Sequence, residues 1–173
     1  MSENTGRTQT AGRGKLNETH LVLTFVLGSE QYAVPLLTVR EIIGYVPAVP
    51  VPQSPAYLRG IINLRGRIIP VIDLRRKFQM PDGTLTQQTC IIVVEFTRGE
   101  TAQAAGLLVD AVLEVLEVRP EQIEPPADML QGSSFLDGLI KSDSAAKLLL
   151  NINRTLSEDR LSASIVQSAE QAA

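Results

Sequence analysis

Between His20 and Leu27 the chain alternates, with Leu21, Leu23, Phe25 and Leu27 on one side and Val22, Thr24 and Val26 on the other. A period of two predicts a strand. Gly28-Ser29-Glu30-Gln31 breaks the pattern as a turn, and Tyr32-Ala33-Val34 returns as a second short strand. The densest pattern is Gly60–Leu74, which reads G-I-I-N-L-R-G-R-I-I-P-V-I-D-L. Two β-branched runs meet there at Arg65-Gly66-Arg67, which predicts a hairpin. Gly66 tolerates the positive φ that a tight turn needs. Pro70 has no N–H for a ladder, so its N side is expected at an edge or a bulge. Cys90–Phe96, Gln103–Val109, Val112–Val118, Phe135–Lys141 and Lys147–Ile152 read as five further strands. The run Leu107–Val118 is apolar on both sides, which predicts burial between layers or beneath a partner.

Other stretches are less regular. Pro35–Gly44 fits a single helical turn started by Pro35, followed by a strand or a second turn. Tyr45–Pro55 holds Pro47, Pro50, Pro52 and Pro55, which forbids a helix and predicts an extended crossing. Ser54 fits the cap of a short helix over Pro55–Arg59. Leu74–Gln79 fits one helical turn, and the prolines of Arg119–Met129 mark a connector. Thr155-Leu156-Ser157-Glu158 has capping-box spacing, so a helix is expected from Leu156, with Leu161, Ile165 and Val166 as its stripe. Residues 1–18 have no apolar period and read as a disordered tail. Short strands about 10 residues apart, with Gly and Pro between, argue for small barrels over a layered α/β sheet.

Composition narrows the function classes. A chain of 173 residues is one domain, or two small subdomains sharing a core. Aromatics make up 4% and Trp is absent, so Val, Ile and Leu must build the interior. A formal charge of −3 makes a poor general polyanion binder. Cys90 is the sole cysteine, which excludes an internal disulfide, and its apolar setting predicts a buried, inert thiol. No apolar run approaches the roughly 18 residues that span a bilayer, and no secretion signal is evident. A cytoplasmic protein is expected.

Catalytic chemistry finds no footing. His20 is the only histidine, so there is no zinc-binding pair and no Ser-His relay. Gly60 to Gly66 lacks the Lys-Ser/Thr of a phosphate loop. Asp73, Asp110 and Asp137 are far apart in sequence, and Asp73 and Asp137 fit turn starters. We expect no enzyme, no metal and no cofactor. Arg59, Arg65, Arg67, Arg75, Arg76 and Lys77 face a single acid, Asp73, in the same stretch. An RNA-binding small barrel is therefore one alternative, although only Tyr57 and Phe78 lie near to stack on bases. Turn arginines are ordinarily solvated; the preferred reading makes Arg65 specific and the others largely solvent-facing.

Asn63-Leu64-Arg65-Gly66 followed by Ile69-Pro70-Val71-Ile72-Asp73-Leu74 resembles the signature of the CheW-like chemotaxis coupling proteins. Phe25-Val26-Leu27-Gly28 with Tyr32-Ala33-Val34-Pro35 resembles that family's first hairpin. Val39-Arg40-Glu41-Ile42-Ile43 is similar to its V-x-E-I element, and Gly106–Asp110 to its G-x-x-V-D strand. The resemblance implies an all-β fold with a few short helices: two packed five-stranded SH3-like barrels and a C-terminal helix. It spans residues 19–156 as one domain, with subdomains near 19–82 and 88–152 and strands free to exchange between them. The remainder, 157–173, is helix and tail. The implied function is a non-enzymatic scaffold coupling chemoreceptors to the histidine kinase CheA; a pilus-type chemosensory system is the alternative. Implied partners are the kinase regulatory domain and the cytoplasmic tip of methyl-accepting receptors, with the membrane reached only through them and no nucleic acid. Carried over by motif, the receptor-facing residues are Val39, Glu41, Ile42, Gly60 and Arg65. Arg65 would donate to the receptor or tie Glu41 in place, and Gly60 would serve the backbone entering the hairpin. Kinase contacts are expected on exposed faces around Leu108, Val112 and Leu113.

Overall fold

The alternating start of the chain folds as β1 (His20–Leu27), which turns back into β2 (Glu30–Pro35). The computed structural model describes residues 19–126, 135–143 and 145–157. Pro35 precedes one 3₁₀ turn, Leu36–Thr38, after which the chain is extended as β3 (Val39–Gly44). This settles the ambiguous stretch as a turn followed by a strand. The proline-rich crossing leads to β4 (Leu58–Leu64) and β5 (Arg67–Asp73), the expected hairpin. A short helix α1 (Leu74–Lys77) follows. The second half supplies β6 (Cys90–Arg98), β7 (Thr101–Val109), β8 (Ala111–Val118), β9 (Ile123–Glu124), β10 (Leu136–Ile140), β11 (Lys147–Leu150) and α2 (Ile152–Ser157).

Two sheets result. One has the order β3-β6-β7-β5-β4, the other β8-β1-β2-β11-β10-β9. The first has the expected five strands; the second gains the two-residue β9. The sheets exchange strands between the halves of the chain, because β1 and β2 pair with β8 and β11 rather than with β3–β5. Pro70 pairs with Ile61 of β4, and the parallel ladder to β7 begins only at Val71, so the missing N–H breaks no bond on that side.

Three apolar clusters fill this framework. Ile62, Ile69, Val71, Ile91, Val93 and Leu108 meet on one face of the five-stranded sheet. Val22, Ala33, Val118, Ile140 and Leu149 meet on one face of the other. The largest cluster lies between the sheets and takes Leu23, Phe25, Leu27, Ile92, Val94, Leu107 and Val109. β6 shows the logic most plainly. Ile91 and Val93 point to the cluster of their own sheet, while Ile92 and Val94 point to the shared one. A strand buried on both faces reads as a continuous apolar run, which is what Cys90–Val94 is.

Three expectations need correction. The run Leu107–Val118 is buried through Val109 and again at Val118; between them β8, an edge strand among the described residues, leaves Leu113 and Val115 exposed, so this part is not covered by a layer of the protein's own fold. No helix covers Pro55–Arg59. The Ser54 hydroxyl donates to the Val51 carbonyl, and Leu58 already pairs with Ile72 in the hairpin. One isolated helical turn gains little against a ladder, because helix nucleation is unfavourable. Helix α2 begins at Ile152, before the expected capping box, with the Asn151 Oδ1 accepting from the Arg154 N–H. Thr155 instead lies inside the helix and donates to the Asn151 carbonyl. Glu158, Leu161, Ile165, Val166 and the tail 1–18 lie outside the described residues.

Candidate functional site

The hairpin tip is built by local chemistry. Leu64 pairs with Arg67, so Arg65 and Gly66 alone form the loop. Both have positive φ, 53° and 84°, as a two-residue turn that follows the strand twist requires. The Asn63 Oδ1 accepts from the Gly66 N–H at 2.9 Å and braces the turn. An arginine held left-handed is strained by about 1 kcal/mol or more, so its place there is explained by its side chain. The Arg65 guanidinium makes a two-point contact with the Glu41 carboxylate: Nη1 donates to Oε1 at 2.8 Å, and Nη2 lies 2.8 Å from Oε2.

β3 and β4 are the two edges of the five-stranded sheet, so this ion pair joins opposite edges. The sheet must therefore roll to bring them together. Glu41 is half-buried, whereas the Arg65 side chain keeps 76% of its surface in water. Ile42 beside them is 44% exposed, and Val39 is half-buried against the shared core. The structure thus gathers Val39, Glu41, Ile42 and Arg65 along one rolled margin. Gly60 stands apart in role. It is buried at φ +141°, and the Val49–Ile61 bridge lays the proline-rich crossing directly over it. It serves the backbone and offers no side chain.

The three kinase-facing candidates separate. Leu108 is only 6% exposed and belongs to the cluster of the five-stranded sheet, so it is no surface contact. Alternation on β7 sends it inward together with its cross-strand partner Ile91. Val112 is half-buried at the rim of the shared core, and Leu113 is exposed. Val115 on β8 and Leu21 on β1 add exposed apolar surface that sequence reading missed. The available signal was the pair of glutamates, Glu114 and Glu117, that interrupt A-V-L-E-V-L-E-V, once β8 is known to be an edge among the described residues. A second missed feature is Leu37, fully exposed in the turn before β3. With Leu21, Leu36, Ile123 and Leu149 it lines an apolar groove of about 400 Å³.

The basic stretch is not a solvated face. Arg59 lies 3.5 Å from Asp73, Arg65 holds Glu41, and Arg75 holds Asp110. Arg76 donates to Asp82 and to the Ala56 carbonyl, and the Lys77 ammonium stands 4.4 Å from the Tyr57 ring centroid. The expectation that the others are largely solvent-facing is therefore corrected for Arg59, Arg75 and Arg76, which neighbouring carboxylates hold, while Arg67 is exposed. Asp73 accepts from the Arg76 N–H and caps α1, as its turn-starting role required. Burial pushes the Cys90 thiol up, outweighing a hydrogen bond from the Val112 backbone, which fits an inert thiol.

Asp110 ties the corner. Its carboxylate accepts from Arg75 Nε at 2.9 Å and from the Gly28 N–H at 2.7 Å. Burial alone would raise its pKa, but the Arg75 and Gly28 hydrogen bonds and the Arg75 charge together hold it below the ordinary Asp range. A carboxylate with a depressed folded pKa stabilises the fold above its unfolded value of ~3.9, and loses that contribution as pH falls through the folded value. Urea midpoints of the parent and Asp110→Asn should therefore differ at pH 7 and converge towards pH 3. Equal gaps at both pH values would remove Asp110 from the acid response.

Among the described residues no helix is long and apolar enough to cross a membrane, and no cluster of His, Cys, Asp or Glu is set to hold a metal. Comparison with known proteins places the chain firmly. The model of the CheW-like domain family matches residues 21–160. A probable chemotaxis protein CheW from Rhizobium etli is 35% identical over 139 residues, covering 79% of this chain and 87% of that one. The chemotaxis protein CheW of Klebsiella aerogenes is 33% identical, covering 80% and 82%. The crystal structure of the scaffolding protein TtCheW from Thermoanaerobacter tengcongensis superposes with a TM-score of 0.71 at 32% identity, over 80% of this chain and 92% of that one.

Proposed function

The chain belongs to the CheW-like family and is a non-enzymatic adaptor of chemotaxis signalling; from that premise we propose that it bridges a receptor tip and a CheA-type kinase through two separate faces. The observation that carries this reading is the Arg65–Glu41 pair, held at the rolled margin of the five-stranded sheet beside exposed Ile42. A helix of the receptor hairpin would lay apolar residues on Val39 and Ile42, with the guanidinium at the rim. The exposed apolar side chains of β8, Leu113 and Val115, and half-buried Val112 offer the second face, for the kinase regulatory domain. The two faces lie on different sheets, so both partners can be held at once. The protein would reach the membrane through its receptors. The RNA-binding alternative is weakened by the ion pairs that neutralise its basic stretch.

A pull-down with a receptor tip and a kinase regulatory domain, offered together and apart, tests this directly. Ile42→Glu should lose about tenfold in receptor affinity and keep the kinase; Leu113→Glu should do the reverse. If both variants hold both partners like the parent, these faces are wrongly assigned. If the parent binds neither partner, the bridging role itself fails.

A further inference from the structure

We propose that the segment Asp73–Phe78 is a latch that fixes the angle between the two sheets, with Arg75 and Phe78 as its gripping side chains. The segment belongs to the five-stranded sheet: Asp73 ends β5 and caps α1, and Leu74 is fully buried in the shared core. Its other side chains reach across. Arg75 grips Asp110 at the corner between β7 and β8, and the same carboxylate accepts from Gly28 in the β1–β2 turn. The Asp110 N–H donates to the Val26 carbonyl of β1. One guanidinium thus reaches the six-stranded sheet through a single shared acid. A further Arg75 nitrogen donates to the Pro81 carbonyl at 3.0 Å, which holds the loop after α1 against the same corner.

Phe78 supplies the second grip. It stacks on Tyr32 of β2 with ring centroids 5.8 Å apart and meets Phe135, just before β10, at the same separation. Tyr32 in turn stacks on Phe25 of β1. The chain has four Phe and three Tyr, and Phe25, Tyr32, Phe78 and Phe135 form one ladder into which the five-stranded sheet inserts a single ring. Lys77 lies 4.4 Å from the centroid of Tyr57 and 5.4 Å from that of Phe135, spanning the same junction.

The physical point is directionality. The shared core of Val, Leu and Ile draws the sheets together without dictating how one is turned on the other, because apolar attraction has no direction. A bidentate guanidinium–carboxylate contact and a stacked ring have defined geometry. Together with backbone bonds such as Asp110 N–H to the Val26 carbonyl, they are directed contacts that favour one orientation.

The test needs no partner and does not depend on the adaptor reading. Nitroxide labels are placed at Thr101→Cys in the five-stranded sheet and Glu117→Cys in the six-stranded sheet, in a Cys90→Ala background, and the interspin distance distribution is measured by pulsed electron resonance. Arg75→Ala and Phe78→Leu should each broaden the distribution about twofold, as expected of a loosened interface, with far-ultraviolet circular dichroism unchanged. Distributions superimposable on the parent's in both variants would overturn the latch. Should Arg75→Ala not fold, Asp110→Asn takes its place, since it keeps the shape and an acceptor for Gly28: broadening there supports the latch, and an unchanged width overturns it.

Discussion

Arg65→Ala is expected to leave a folded protein that binds a receptor tip about tenfold more weakly and no longer supports receptor control of the kinase. The two halves of that expectation have different origins. An ion pair whose arginine is 76% exposed contributes little to folding, roughly 0–1 kcal/mol. Removing Arg65 also leaves no fully buried charge unpaired, because Glu41 sits at a margin that water reaches. At an interface the same guanidinium would be desolvated, and arginines in such positions commonly contribute 1–2 kcal/mol or more. Glu41→Ala separates two roles for Arg65. If Arg65 acts by tying Glu41 in place, the single and double variants should lose affinity equally. If Arg65 also donates directly to the receptor, Arg65→Ala should lose more than Glu41→Ala. Thermal melts within about 2 °C of the parent are required for either reading; a large drop would make Arg65 a folding residue instead.

Gly60→Ala should do the opposite, lowering stability without touching any side chain of the proposed receptor margin. A methyl group at Gly60 would lie 3.0 Å from the Pro50 nitrogen and closer still to the Val49 carbonyl. Backbone fills that space, so no rotamer change can clear it. At φ +141° a side chain is strained even without the contact. Backbone strain of 1–3 kcal/mol and overpacking of 1–3 kcal/mol together suggest a loss of about 3–5 kcal/mol. That is a large share of the 5–15 kcal/mol typical of a domain. A fall in melting temperature of about 10–15 °C should follow. Melting near the parent's temperature would show that the crossing over β4 can lift away, and the account of that edge would be wrong.

How legible all this was from the sequence depended on the range of each interaction. The turn at Asn63-Leu64-Arg65-Gly66 could be read because its bonds are local, from Gly66 to Asn63 and across Leu64 to Arg67. Alternation in β1 and short apolar runs elsewhere gave most strands for the same reason. It could not say which parity faced solvent. Leu108 and Leu113 look alike in sequence, yet one fills a core and the other lies on an open edge, because sheet order decides the matter. The basic stretch misled in a related way. Asp110 and Glu41, the acids that hold Arg75 and Arg65, are distant in sequence and close only after folding. The missing helix at Pro55–Arg59 shows tertiary pairing overriding a plausible local cap, since Leu58 gains a ladder partner in Ile72.

Among the described residues the outer margin of β8 is an unpaired strand edge, and such margins invite like chains to stack upon one another. Exposed Glu114 and Glu117 stand along it among Leu113 and Val115. Two copies approaching margin to margin would bring these carboxylates face to face, and their mutual repulsion opposes fibre-like growth even where many copies crowd together. A partner bearing opposite charge meets no such barrier, so the strand that resists its own kind stays open to a stranger.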